Sequence, residues 1–275
     1  MELGSFGVWT GGRTVAEADR PEVAQLAEQL GFGALWFGFS PRLTDMRPML
    51  AATERLIIAT GIVNVWHYEP EELAAEFAAL DQEFPGRTLL GVGIAHPESV
   101  EQYARPLTKM SAFLDGLDRA APPVPKDRRC VAALGPKMLD LSAERSLGAH
   151  PYFTPVEHTR YARERLGPGP LVAPELACVV GEDPGRAAAR EYARFYLRLK
   201  NYATNLERFG FTSDEISAAS DRVLDAIVPQ GSPERIASVV RAHLDAGADH
   251  VCLQAVGVQG VPREQWTALA QALLG

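Results

Sequence analysis

Hydrophobic positions along the chain fall into two alternating patterns. Short, nearly continuous apolar runs occupy 3–9, 34–37, 55–66, 88–94, 130–134, 151–154, 175–180 and 250–256. Such runs mark strands buried on both faces of a parallel sheet. Between them lie stretches with a 3.6-residue apolar period, the mark of helices with one buried face. These cover 20–30, 45–54, 70–84, 98–117, 136–147, 157–166 and 263–274. Pro21 and Pro70 sit at helix starts and Gly31 just past a helix end, where backbone geometry favours them.

Eight strand–helix units in 275 residues predict an α/β fold, a (β/α)8 TIM barrel forming one domain over 1–275. A doubly wound open sheet is the second choice. Pro122-Pro123-Val124-Pro125 reads as a stiff turn, because the alternation resumes after it. The stretch 183–229 is too long for one connection and is helical over 186–208. It reads as an insertion between strands 7 and 8 on the active-site side, serving as a lid, an oligomer contact or added packing.

The run 55–66 differs from the others. It starts apolar, contains Gly61 and ends in Asn64, Trp66 and His67. A glycine inside a buried strand marks a bulge or a close approach to the backbone. A polar, aromatic exit then suggests the floor of a ligand site.

A formal net charge of −8 argues against nucleic acid or an anionic membrane as the main partner. It leaves room for a local phosphate site at a helix N-terminus. No apolar run is long enough to span a bilayer. The first strand starts almost at once with no basic leader, so a cytoplasmic location is expected. Cys130, Cys178 and Cys252 lie inside apolar runs and read as small buried hydrophobes.

Function in a barrel sits at the C-terminal strand ends. Here those ends hold Thr10 to Arg13, Phe39, Ser40, Asn64, Trp66, His67, His96, Gly135, Phe153, Glu182 and Gln259 among others. The set is aromatic and glycine-rich with few charges, suiting a flat conjugated ligand. It contains no paired carboxylates and no His/Asp cluster at metal-ligand spacing. His96 and His67 end strands and are the acid/base candidates, since imidazole titrates near neutrality. His158 and His243 are expected at the surface of helices, and His250 in a structural role at the opposite face. His150 is ambiguous. Gly135-Pro136-Lys137 opens a helix directly after a strand, which favours an anion but is also an ordinary helix cap.

Several segments are also similar to a known family. Thr60-Gly61-Ile62-Val63-Asn64-Val65-Trp66, Gly91-Val92-Gly93-Ile94-Ala95-His96, Tyr103-Ala104-Arg105-Pro106-Leu107 and Ala133-Leu134-Gly135-Pro136-Lys137-Met138-Leu139 resemble the bacterial luciferase-like superfamily. Gly148-Ala149-His150-Pro151-Tyr152-Phe153 and the segment 245–251 resemble its F420-dependent oxidoreductase branch. The resemblance implies a (β/α)8 barrel that binds coenzyme F420 or a flavin at its mouth. It implies a non-prolyl cis peptide at Gly61-Ile62, backing the central ring of the cofactor. It further implies a phosphate-side site at Gly135-Pro136, and an acid/base role for His96. Strand 2 departs from the branch: relatives commonly end it with an acidic residue, often followed by histidine, where this chain has Phe39 and Ser40.

Three readings follow. The first is hydride transfer between F420 and a small organic substrate. It uses Gly61, Ile62, Asn64, Gly135, Pro136 and Lys137 for the cofactor and His96, Trp66 and His67 for the chemistry. The second is an FMN-dependent monooxygenase. The third is a cofactor-binding paralogue lapsed in catalysis, which the strand-2 departure motivates. A homodimer is allowed by the resemblance, with no contact motif to mark it.

Overall fold

The computed structural model describes residues 1–99, 103–181 and 185–275. Its frame alternates strands and helices. β1 (Phe6–Gly11), α1 (Arg20–Gln29), β2 (Ala34–Gly38), α2 (Arg47–Ala51), β3 (Ile57–Gly61) and β4 (Val63–Asn64) come first. α3 (Pro70–Glu83), β5 (Thr88–Gly93), α4 (Pro106–Arg119), β6 (Arg129–Val131), α5 (Pro136–Arg145) and β7 (Gly148–Ala149) follow. Then come α6 (Val156–Leu166), β8 (Leu171–Val172) and β9 (Glu175–Val180). The helices α7 (Gly185–Leu197), α8 (Lys200–Arg208), α9 (Ser213–Ala218) and α10 (Asp221–Ile227) form the insertion. β10 (Gln230–Gly231), α11 (Pro233–Asp245), β11 (Val251–Ala255) and α12 (Arg263–Leu274) complete the chain.

All named strand pairs are parallel and follow chain order from β1 to β8. The segment 171–180 takes two neighbours. Its first part, β8, pairs with β7, and its second, β9, pairs with β11, which pairs with β1. This is the strand order of the eight-fold barrel, and helices cover its outer face. One buried cluster, with Val8, Leu35, Ile58, Leu90 and Leu253, joins strands to helices. A second, with Trp9, Trp36, Ala59, Leu89, Cys130 and Cys252, is built from strand positions alternating with the first. That alternation gives each strand one residue set facing the helices and one facing inward. The three cysteines are free and fully buried.

Two expectations need correction. The sixth strand is Gly148–Ala149, not 151–154, where only Tyr152 makes an isolated bridge to Glu175. The insertion's first helix breaks at Arg198–Leu199 into α7 and α8 rather than running through 186–208. The N-terminal part of the helix expected at 98–117 and the beginning of the insertion (183–184) include residues outside those described, as does Glu182. The described part of the former is a short turn at Pro97–Ser99 and then α4.

Candidate active site

The third barrel strand is interrupted by a bulge. Ala59 pairs with Leu89 and Val63 with Val92, so four steps on one strand meet three on the other. The extra residue falls at 60–62, around Gly61, and the Gly61–Ile62 peptide is cis. A bulge leaves ladder groups without partners, and side chains supply them. Thr60 Oγ1 donates to Gly91 O at 2.7 Å and accepts from Gly91 N at 2.8 Å. Gly61 O accepts from Trp9 Nε1 at 3.0 Å. Glycines on the next strand make the room: a Cβ on Gly91 would lie 2.1 Å from Thr60 O, and one on Gly93 2.5 Å from Ile62 Cδ1. Gly38 does the same for Trp9, whose ring would be 2.0 Å from an added Cβ.

Beyond the bulge the chain is held by its own polar exit. Asn64 N donates to Ser40 Oγ at 3.0 Å, and Asn64 Oδ1 accepts from Trp66 N at 3.1 Å. Asn64 Nδ2 lies 3.3 Å from His67 Nε2. Trp66 Nε1 donates to Ile94 O at 2.9 Å, tying strand 3 to the end of β5. The structure thus brings Asn64, Trp66 and His67 together, with His67 exposed. Ser40 and Phe39, both at positive φ, are built into this corner.

His96 faces another element. Its Nδ1 lies 3.0 Å from Asn201 Oδ1 on α8, and its ring is 5.1 Å from that of Tyr202. An amide oxygen only accepts, so Nδ1 carries the proton and Nε2 keeps its lone pair. Burial lowers the His96 pKa, with Asn201 and Glu98 acting against it. Glu98 Oε1 also accepts from Lys200 N at 3.1 Å, a second pin on α8.

From His96 an aromatic bridge crosses the mouth. Tyr202 contacts Phe153 and Tyr152, with ring centroids 5.3 and 5.9 Å away, and Phe153 contacts Tyr196 at 5.1 Å. Tyr152 and Tyr192 then reach Gln254 at 3.1 and 2.7 Å. Three of these rings come from the insertion, which therefore covers the barrel centre. Beside the bridge, against the ends of β1, β2 and β11, lies a cavity of about 220 Å³. Trp9, Phe39, Tyr192, Tyr196, Gln254 and Val256 form much of its wall, and none of the described residues lining it is charged. None of the acid/base candidates read from the sequence lines it.

Gly135 caps α5 without a side-chain bond, and a Cβ there would meet nothing within 4 Å. Lys137 beside it is exposed. The first turn of α5 therefore opens onto free space, with its partial positive charge available to an anion.

Two of the remaining histidines differ from expectation. His158 and His243 are not surface residues: they are 0% and 1% exposed, and burial lowers each pKa to about 4. Their helices present them inward, where Leu134 O and Thr159 Oγ1 meet them at 3.0 and 2.8 Å. His250 is buried below the mouth, bonded to Gly4 O and Trp36 Nε1. His150 stacks on Trp36 with Nε2 3.4 Å from Glu175 Oε2. Tyr192, Tyr196 and Gln254 are among the cavity residues that sequence reasoning missed. The available signals were a tyrosine pair at helical i, i+4 spacing and one amide inside an apolar strand.

Comparison with known proteins adds the following. A family model described as luciferase-like monooxygenase matches residues 1–250. An uncharacterised protein, YwcH of Bacillus subtilis (strain 168), is 35% identical over 82 residues, 26% of this chain and 25% of that protein. Three solved structures share the fold. The coenzyme F420-dependent tetrahydromethanopterin reductase from Methanopyrus kandleri has a TM-score of 0.78 at 16% identity, covering 99% of both chains. An F420-dependent secondary alcohol dehydrogenase in complex with an F420-acetone adduct has 0.76 at 16%, covering 98% of both. The oxygenating constituent of 3,6-diketocamphane monooxygenase from Pseudomonas putida, in complex with FMN, has 0.66 at 14%, covering 98% and 96%.

Proposed function

Because this chain belongs to the luciferase-like monooxygenase family, we propose that it is an oxidoreductase passing a hydride between the deazaflavin coenzyme F420 and a small organic substrate. The observation that carries this reading is the character of the mouth cavity. It is substrate-sized, and among the described residues its wall carries no charge and holds no histidine, carboxylate or nucleophilic cysteine. Such a wall orients a molecule but supplies neither electrons nor a covalent partner. In cofactor enzymes that division is normal, with the protein providing position and electrostatics.

The residues match such a cofactor at two places. The open first turn of α5, with Gly135, Pro136 and Lys137, suits its phosphate. Gly61 and Ile62 at the bulge, with Asn64 beyond, are proposed to back its ring. When bound, the deazaflavin would supply hydride chemistry. The cavity of about 220 Å³ is smaller than the roughly 300–1,000 Å³ of pockets that enclose such ligands. None of Gly61, Ile62 or Asn64 lines it, so it is read as substrate space, and a ring seated at the bulge is proposed to displace the aromatic bridge under the insertion. His96 is assigned the accompanying proton: Asn201 holds its Nδ1–H, and Nε2 is the basic atom. Trp66 and His67 shape the neighbouring wall.

An FMN-dependent monooxygenase is the second reading, favoured by the FMN-bound relative of the same fold. Turnover separates the two. Oxidised F420 mixed with small secondary alcohols should lose its absorbance as the carbinol hydride passes to the cofactor and the hydroxyl proton to His96 Nε2, and His96→Ala should slow this about 100-fold, the usual span for a lost acid/base group. Cofactor affinity should stay within twofold. Unchanged turnover in the variant would remove His96 from the chemistry. Faster oxygen uptake with reduced FMN than any reaction of F420 would overturn the preference.

A further inference from the structure

Hydrogen bonding at the tyrosine corner of the cavity does not close internally. Gln254 Oε1 accepts from Tyr192 at 2.7 Å and from Tyr152 at 3.1 Å, and the two hydroxyls also touch each other. In the structure the amide oxygen is the atom that faces the tyrosines. That orientation sends Nε2 the other way, where it has no protein partner among the described residues. Tyr196 Oη lies 3.4 Å from Tyr192 Oη, beyond the usual O–H···O range. Burial pushes the Tyr196 phenol up, so it stays protonated and able to donate. The other hydroxyls lining the cavity are engaged, since Thr14 Oγ1 donates to Gly11 O at 3.0 Å and Thr10 Oγ1 lies 3.3 Å from Thr14 Oγ1.

We propose that this cavity binds a small uncharged molecule through one carbonyl or hydroxyl oxygen, which accepts from Gln254 Nε2 and Tyr196 Oη. Trp9, Phe39, Val256 and Pro262 would enclose its carbon skeleton. An apolar cavity of ~150 Å³ holds one benzene, so about 220 Å³ suits a ligand of roughly ten non-hydrogen atoms. A carboxylate or ammonium is disfavoured, because none of the described residues in the wall is charged to repay its desolvation, and the nearby Arg13 guanidinium stacks on the Phe39 ring from outside that wall. The inference deepens the reading of the cavity as the substrate compartment, and it makes the insertion, through Tyr196, a determinant of specificity.

The test uses the full chain without cofactor. Cyclohexanone, cyclohexanol, methylcyclohexane and cyclohexanecarboxylate are titrated at neutral pH, following the Trp9 indole and Gln254 amide signals by NMR. The ketone and the alcohol should bind, with methylcyclohexane at least tenfold weaker and the carboxylate silent. Gln254→Leu and Tyr196→Phe should each weaken the ketone about tenfold, the effect of one lost hydrogen bond, and leave methylcyclohexane unchanged. Tyr196→Phe removes one oxygen and keeps the ring, so the fold persists even where Gln254→Leu disturbs the strand. Equal binding of methylcyclohexane, binding of the carboxylate, no binding of any probe, or an unchanged Tyr196→Phe would overturn the proposal. No cofactor or turnover enters this assay, so it can fail or succeed separately from the F420 reading.

Discussion

His250 shows how one buried imidazole commits the protein to a protonation state. Its Nδ1–H donates to Gly4 O, leaving Nε2 to accept from Trp36 Nε1 at 3.1 Å. A second proton would face the indole N–H, so the ring stays neutral, and burial lowers its pKa to about 4. His158 and His243 are lowered to about 4 for the same reason. In the unfolded chain all three titrate near the ordinary value of about 6.5. Between those values the unfolded state binds more protons, so stability rises with pH there. The contribution is complete above about pH 6.5 and is lost as pH falls toward 4. Glu175, whose carboxyl burial pushes up against the pull of His150, acts with the opposite sign. Comparing His243→Gln with the parent protein isolates one histidine. Denaturant titration at pH 7 and pH 5 should show the parent losing more stability on acidification than the variant, by about 2 kcal/mol. Identical losses would contradict the assignment. The placement of His158 and His243 was not legible in the sequence. Each lies on a helix with many charged neighbours, and only packing against α6 and α11 decides which face turns inward.

The insertion helices α7 and α8 are the element on which access depends. They are tied to the barrel by Asn201 on His96, by Lys200 N on Glu98 and by the tyrosines on Gln254. If F420 enters at the bulge, these ties loosen. Hydrogen exchange should then speed at least tenfold across 200–208 on saturation with F420, while the first turn of α5 slows. Exchange that is unchanged or slower across 200–208 would contradict this coupling. The helical character of the insertion was readable from its apolar period. Its break into two helices, and the side facing the barrel, were not, because they depend on tertiary contacts. The sixth strand was misplaced for a different reason. Gly148–Ala149 is two small residues, and the aromatic pair Tyr152-Phe153 just beyond has the stronger strand signal. Phe153 instead adopts φ 59° and turns into the mouth.

At the scale of the whole molecule, the barrel was legible because its physical requirements are written locally. Parallel strands must be apolar on both faces, and helices between them need starts and stops that proline and glycine supply. The strand-3 bulge was legible through Gly61. Its supporting glycines, Gly91 and Gly93, carry the same message once Thr60 and Ile62 are seen against them. The cavity was less so, because it gathers β1, β2, β11 and α7, elements remote in sequence. On the proposed reading, chemistry and recognition would occupy two sides of one mouth: His96 and the bulge on one, Gln254 and the tyrosines on the other. The claim that joins them is that a phosphate-bearing deazaflavin docks on α5. Calorimetric titration of the parent and of Gly135→Asp with F420 and FMN tests it. The aspartate enters open space and caps α5, so the variant should be about 0.3 kcal/mol more stable. Its negative charge should nevertheless weaken F420 at least tenfold, while the parent binds F420 at least tenfold tighter than FMN. An FMN affinity equal to or above that for F420, or a Gly135→Asp variant that binds F420 as the parent does, would contradict the account.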